Sequence, residues 1–205
     1  SGAAGPGGAA AGSVVLFDGT STEGWRQIGP GGFNLLPDGS LESYGGMGLF
    51  YYAERPFRDF VLELEYRTSS PGANSGIFVR FPEQTDDPWV PVEAGYEIQI
   101  DDTPDPMHRT GAIYTFSPAA RLASRPAGEW NQYRIEVRGQ RYEIYLNGEK
   151  VNDFIGDRGR EGYIGLQNHD DDSKVAFRNI RVTPLRVANA PERLGDLFAV
   201  QGAEP

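Results

Sequence analysis

Apolar and polar residues alternate singly through most of the chain between Val14 and Leu185. Phe60, Leu62, Leu64 and Tyr66 interleave with Val61, Glu63, Glu65 and Arg67. Ile77, Val79 and Phe81 interleave with Phe78 and Arg80, and Tyr96, Ile98 and Ile100 with Glu97, Gln99 and Asp101. The same period of two runs through Tyr133–Arg138, Tyr142–Asn147 and Tyr163–Gln167. Successive side chains of a strand point to opposite faces, so the pattern predicts antiparallel strands with one face against a core. Turn signals separate the runs. Pro37-Asp38-Gly39-Ser40 divides two short strands, and Arg138-Gly139-Gln140 and Asn147-Gly148-Glu149 make Trp130–Asp153 a three-stranded meander. A helical period is confined to Pro191–Val200, where Leu194, Leu197 and Phe198 share a side. About a dozen strands with little helix predict an all-β sandwich of two antiparallel sheets, a jelly roll larger than an immunoglobulin domain.

Ser1–Ser13 consists only of Gly, Ala, Ser and Pro. Such a segment buries too little apolar surface to offset its ordering entropy. The expected organisation is a disordered Gly/Ala-rich linker or expression remnant over 1–13, a β-sandwich over 14–187 and a tail with a short helix over 188–205.

Composition narrows the function classes. The 205 residues suffice for one β domain with a sizeable core. No apolar run reaches the roughly 18–20 residues of a membrane span. A net charge of -10 argues against nucleic acid or an anionic membrane as partner. The absence of cysteine excludes thiol nucleophiles, disulfides and thiolate metal sites. No signal peptide is visible, and an exported protein, periplasmic or secreted, is the expectation.

The outward face of the concave sheet of such a sandwich is the natural place for a ligand. Three predicted strands offer polar side chains to it: Glu97, Gln99 and Asp101; Gln167 and His169; and Asn74, Phe78 and Arg80. Tyr114 adds a ring and a hydroxyl, and Trp89 lies in a loop, Glu83–Val92, expected to run over the sheet. Same-face neighbours on a strand are roughly 6–7 Å apart, within reach of one sugar ring. The acid–amide–acid row is therefore either a solvated strand face or a carbohydrate-handling site. His108, in a Pro/Asp-rich loop, reads as readily exposed as functional, and Asp170-Asp171-Asp172 reads as a solvated turn.

Several segments, in order, carry a resemblance. They are Leu16-Phe17-Asp18-Gly19-Thr20 with Gly24-Trp25, Asp59–Arg67, Asn74–Arg80, Gly95–Ile100 and Thr110–Tyr114. Gly128–Asn131, Leu146–Gly148, Gly165–His169 and Phe177–Ile180 follow. This set resembles the 3-keto-disaccharide hydrolase family. The resemblance implies a concanavalin A-like lectin/glucanase sandwich and action on glycosides oxidised to a ketone at C3. The row at Glu97 is similar to the Glu-x-Asp-x-x-Glu strand of laminarinase-type glucanases, but Gln99 stands where the middle acid would be. That departure counts against a two-carboxylate mechanism, whose retaining form needs its acids about 5–5.5 Å apart.

A C3 ketone opens another route: proton abstraction at C2, loss of the C1 substituent by β-elimination, and addition of water. On this reading Glu97 or His169 is the base, and Arg80 or a divalent cation stabilises the enolate. Gln99, Asn74, Gln167 and Asp101 bind the sugar, and Phe78, Tyr114 or Trp89 stack on its ring. No cofactor is required by the sequence beyond such a cation, and the metal ligands are unassigned. A non-catalytic carbohydrate-binding module of a larger exported protein is the alternative, and an interaction domain that binds no saccharide a third.

Overall fold

The computed structural model describes residues 12–83 and 86–186; the helix expected within 188–205, and residues 1–11 of the expected linker, lie outside them. The alternating runs become thirteen strands: β1 (Val14–Phe17), β2 (Trp25–Ile28), β3 (Gly32–Leu35), β4 (Leu41–Tyr44), β5 (Gly48–Phe57), β6 (Phe60–Thr68), β7 (Ser75–Phe81), β8 (Tyr96–Ile100), β9 (Asn131–Arg138), β10 (Arg141–Leu146), β11 (Glu149–Ile155), β12 (Gly162–Asn168) and β13 (Val175–Pro184). One five-residue helix, α1 (Val90–Ala94), lies between β7 and β8. Its first three residues end the segment Glu83–Val92 expected as a loop, and a proline lies at its start.

The strands form two antiparallel sheets. An eight-stranded sheet runs β11-β10-β9-β6-β13-β4-β3, with β1 also paired to β13. A five-stranded sheet runs β2-β5-β12-β7-β8. The expected meander is β9-β10-β11. This is a concanavalin A-like jelly-roll sandwich.

The apolar half of each alternation fills the space between the sheets. Phe60, Leu62, Leu64 and Tyr66 of β6 meet Tyr96, Ile98 and Ile100 of β8 in one buried cluster. Tyr133 reaches across from β9 and donates its hydroxyl hydrogen to the Gln99 carbonyl at 2.6 Å. That bond ties edge strand β8 to the opposite sheet. The free edge of β8 is covered by residues 110–114, which bond to it through Gln99 N–H to the Ala112 carbonyl (3.0 Å) and Tyr114 N–H to the Glu97 carbonyl (2.9 Å). An edge strand is thereby closed, and the loop that closes it carries side chains to the outer face of β8.

A second apolar cluster sits on the outer face of the five-stranded sheet. Ile28, Leu49, Tyr51, Phe78 and Phe81 pack there, with Val92 of α1 against them. Phe81 was expected to share the core face with Ile77 and Val79. Instead the pairing of β12 with β7 shifts register between Tyr163 and Ile164, and Arg80 adopts a left-handed backbone (φ 58°). A bulge of this kind reverses the alternation beyond it. Phe81 turns outward and Arg80 turns in.

Candidate functional site

A cavity of about 310 Å³ lies on the outer face of the five-stranded sheet, beside the second apolar cluster. Its lining is drawn from separate elements: Asn74 before β7, Glu97, Gln99 and Asp101 on or just after β8, and Gln167 and His169 at the end of β12. Trp89 and Val92 enter from α1 and its approach, Met47 from the turn before β5, and His108 and Tyr114 from the loop after β8.

Glu97 is the deepest charged group. It pairs with Phe78 across the β7–β8 ladder and is only 5% exposed. Its carboxyl lies over Gly76; a Cβ at that glycine would come within 2.5 Å of Glu97 Oε1. Gly76 thus leaves the channel through which Glu97 extends towards Gln167. Burial pushes the Glu97 carboxyl up to about 8, and contact with the Gln167 amide works weakly in the other direction. Among the described residues, no arginine or lysine lines the cavity to oppose the effect of burial.

The amides around it are incompletely satisfied. Asn74 Oδ1, Gln99 Oε1 and Gln167 Oε1 are buried without a protein hydrogen-bond partner. Asn74 donates its Nδ2 hydrogen to Asp101 Oδ2 at 3.2 Å. A buried acceptor left unpaired costs roughly 1–3 kcal/mol, so three around one cavity point to a donor-rich occupant. Asp101 is half-buried. Burial raises its pKa, countered by His169.

His169 is held from the turn that follows β12. Its Nδ1 meets Asp170 Oδ2 at 2.6 Å, and Asp170 also accepts from Ser173 Oγ (2.8 Å) and the Asp172 N–H (2.9 Å). The acidic turn expected to be merely solvated therefore orients a cavity side chain. His108 has a matching arrangement. Its Nδ1 lies 2.5 Å from Asp105 Oδ2, and its ring packs 5.2 Å from that of Tyr114. Both histidines of the chain line this cavity, each with a nearby carboxylate on Nδ1.

Eight of the ten expected site residues line the cavity: Glu97, His169, Asn74, Gln99, Asp101, Tyr114, Gln167 and Trp89. Arg80 does not. The β7 bulge carries its guanidinium away from the cavity, where it donates to the carbonyls of Arg58 (2.6 Å) and Gly139 (2.5 Å) and to Asp59 Oδ1 (3.1 Å). It is fully buried, and all these partners lie at the far end of the sandwich core. Phe78 sits on the expected face but is 1% exposed, sealed beneath Val92 and Tyr51. Trp89 brings an exposed ring to the cavity and Tyr114 a partly buried one. Met47 and Val92 complete the lining without having been singled out, together with His108, which was expected to be as readily exposed as functional. For His108 the available signal was its being one of two histidines, three residues after an aspartate.

Among the described residues, no group of three or more His, Asp or Glu is arranged to hold a metal ion. The oxygen donors that would suit a hard divalent cation here are Asp101 and the unpartnered amide oxygens. Among the described residues, no helix is long and apolar enough to cross a membrane.

A lectin-type sandwich with a sugar-sized polar cavity on its smaller sheet defines a carbohydrate-handling class, and comparison with known proteins narrows it. Residues 12–183 match the 3-keto-alpha-glucoside-1,2-lyase-like domain, and the chain belongs to that family. A 3-keto-disaccharide hydrolase from Bacteroides thetaiotaomicron is 29% identical over 85% of this chain and 79% of its own length. A candidate glycosyl hydrolase from Parabacteroides distasonis superposes with a TM-score of 0.73 at 23% identity, covering 85% of this chain and 94% of that one. The carbohydrate-binding module CBM66 from Bacillus subtilis shares the fold at a TM-score of 0.58 and 18% identity, over 77% and 94% of the two chains. Family membership supports a glycoside-acting enzyme of this general type.

Proposed function

We propose that this protein cleaves glycosides whose sugar carries a ketone at C3, by elimination across C2 and C1 followed by addition of water. The observation that carries this reading is a buried carboxyl, Glu97, which has no cationic partner among the described residues and an amide two residues on. The next acid on the same face is Asp101, four residues along the chain. Between the two stands the Gln99 amide, where a two-carboxylate strand would carry an acid, and Asp101 accepts the Asn74 amide hydrogen.

Elimination needs one base rather than an acid pair. Glu97 takes the C2 proton. Its desolvated carboxylate is a stronger base than a solvent-exposed one, and the C3 ketone makes that proton acidic enough to remove. The enolate oxygen at C3 needs a donor. Arg80 is committed elsewhere, and His169, fixed through Nδ1 by Asp170, offers its other ring nitrogen. Asn74, Gln99 and Gln167 accept hydrogens from the remaining hydroxyls, which satisfies their free oxygens. Trp89 and Tyr114 supply ring faces at the cavity.

The test is to offer the protein one chromogenic glucoside in its ordinary and its 3-oxidised form, with and without chelator. Cleavage of the oxidised form alone is the expected result. Comparable cleavage of the ordinary form would overturn the elimination. Tight binding of either without turnover would favour a binding module, a reading supported by the fold shared with CBM66. Loss of activity in chelator, restored by added divalent cation, would assign a cation to the oxygen donors around Asp101.

A further inference from the structure

We infer that His108, oriented by Asp105, is the acid that protonates the departing glycosidic oxygen, while the floor of the cavity handles the sugar. The inference rests on the elimination proposed above, which needs three proton-handling groups. Glu97 and His169 account for two. Among the described residues, no arginine or lysine lines the cavity, and Asp101 accepts the Asn74 amide hydrogen. His108 is the remaining imidazole in the lining, the side-chain type used both to accept and to donate protons in catalysis.

Its placement fits that role. His108 comes from the loop that closes the edge of β8, not from the sheet floor, and its side chain is 42% exposed at the cavity rim. Glu97 and Gln167, by contrast, are almost fully buried. The inferred pose seats the sugar on the floor with its C1 substituent towards the rim and solvent. Asp105 both holds His108 Nδ1 and caps the turn that carries it, accepting the Met107 N–H at 3.0 Å. With Nδ1 so engaged, Nε2 is the nitrogen left to face the substrate.

In the step itself, Glu97 takes the C2 proton and the C–H electron pair stays on carbon as the C2=C3 bond of the enolate; as the C3 ketone re-forms, that pair moves into a C1=C2 double bond. The C1–O bond breaks with its electron pair on oxygen, and that oxygen takes the Nε2 proton of His108. The products are an unsaturated 3-keto sugar and the free alcohol. Water then adds at C1, His108 recovering a proton from it, and Glu97 returns a proton to C2. The sum is hydrolysis.

An acid for the leaving group matters only when the leaving group is a poor one. The experiment compares the wild-type protein with His108→Ala, His108→Gln and Asp105→Asn on 3-keto-glucosides of 4-nitrophenol and of methanol. For both His108 variants we expect kcat on the methyl glycoside to fall on the order of 100-fold and on the nitrophenyl glycoside less than about 5-fold. Asp105 is a positioning residue, and its variant is expected to show the same selectivity at about a tenth of the size. Equal losses on both substrates would show a structural role, and unchanged rates no role; either result overturns the inference. If the wild type cleaves neither substrate, it is the elimination reading that fails.

Discussion

The outer faces of the two sheets read alike along the chain and behave oppositely in the fold. Both carry acids at alternate positions. On the eight-stranded sheet those acids are matched by cations on neighbouring positions or strands. Glu63 meets Arg181 at 2.9 Å, Glu65 meets Arg178 at 3.2 Å, and Glu136 sits between Arg134 (2.6 Å) and Arg138 (3.0 Å). Arg141, Lys150, Glu143 and Asp153 form a further network. These groups are wet, and such pairs contribute little apiece. On the five-stranded sheet Glu97 is dry and faces amides. What distinguishes the carboxyl proposed as the base is the absence of a matching cation among the described residues together with a cover of loop and helix.

The comparison is broken most severely at Glu97. Glu97→Gln is expected to lower kcat on a 3-keto-glycoside by about 10²–10⁴-fold, measured at pH 8. The same variant should be more stable than the wild type at alkaline pH. Burial raises the folded-state pKa from 4.5 to about 8, so the folded form favours the protonated carboxyl. That stabilisation is complete below about pH 4.5 and is lost as pH rises through about 8. Urea titrations at pH 9 should show Glu97→Gln ahead by on the order of 3 kcal/mol, and near the wild type at pH 4. Activity should instead climb with pH up to about 8, as the base ionises.

Arg80 sharpens the comparison from the other side, as a buried charge with its partners in place. Arg80→Ala strands the Arg58 and Gly139 carbonyls and Asp59, and should cost about 3 kcal/mol in denaturant unfolding. The activity of the folded fraction should survive, because the guanidinium does not reach the cavity; a selective loss of turnover would return Arg80 to the site. The smallest effect is expected on the wet sheet. Glu136→Gln, between two half-exposed arginines, should change stability by less than about 1 kcal/mol and leave turnover alone.

Most of the sandwich was legible because period-two burial is a local property: each strand shows in its own residues which side faces the core. The row Glu97, Gln99, Asp101 and its partners Gln167 and His169 were legible for the same reason. Arg80 was misplaced by a one-residue bulge, whose signature is a positive φ at a residue that offers no sequence cue for it. Phe78 was on the right face, but whether a ring on that face is open or covered depends on α1, which packs there only in three dimensions. His108 and the Asp170 turn were undervalued because a histidine–aspartate contact counts only if a cavity lies beside it.

The sequence by itself determined the strands, the sandwich, the acid–amide–acid row and the lack of thiol chemistry, since these follow from local alternation and residue type. Only the tertiary structure decided which polar face was dry, which acid lacked a cation and which histidines shared its cavity. Those are properties of packing between segments distant in the chain. A carboxyl's chemistry depends on how completely that packing removes water from it.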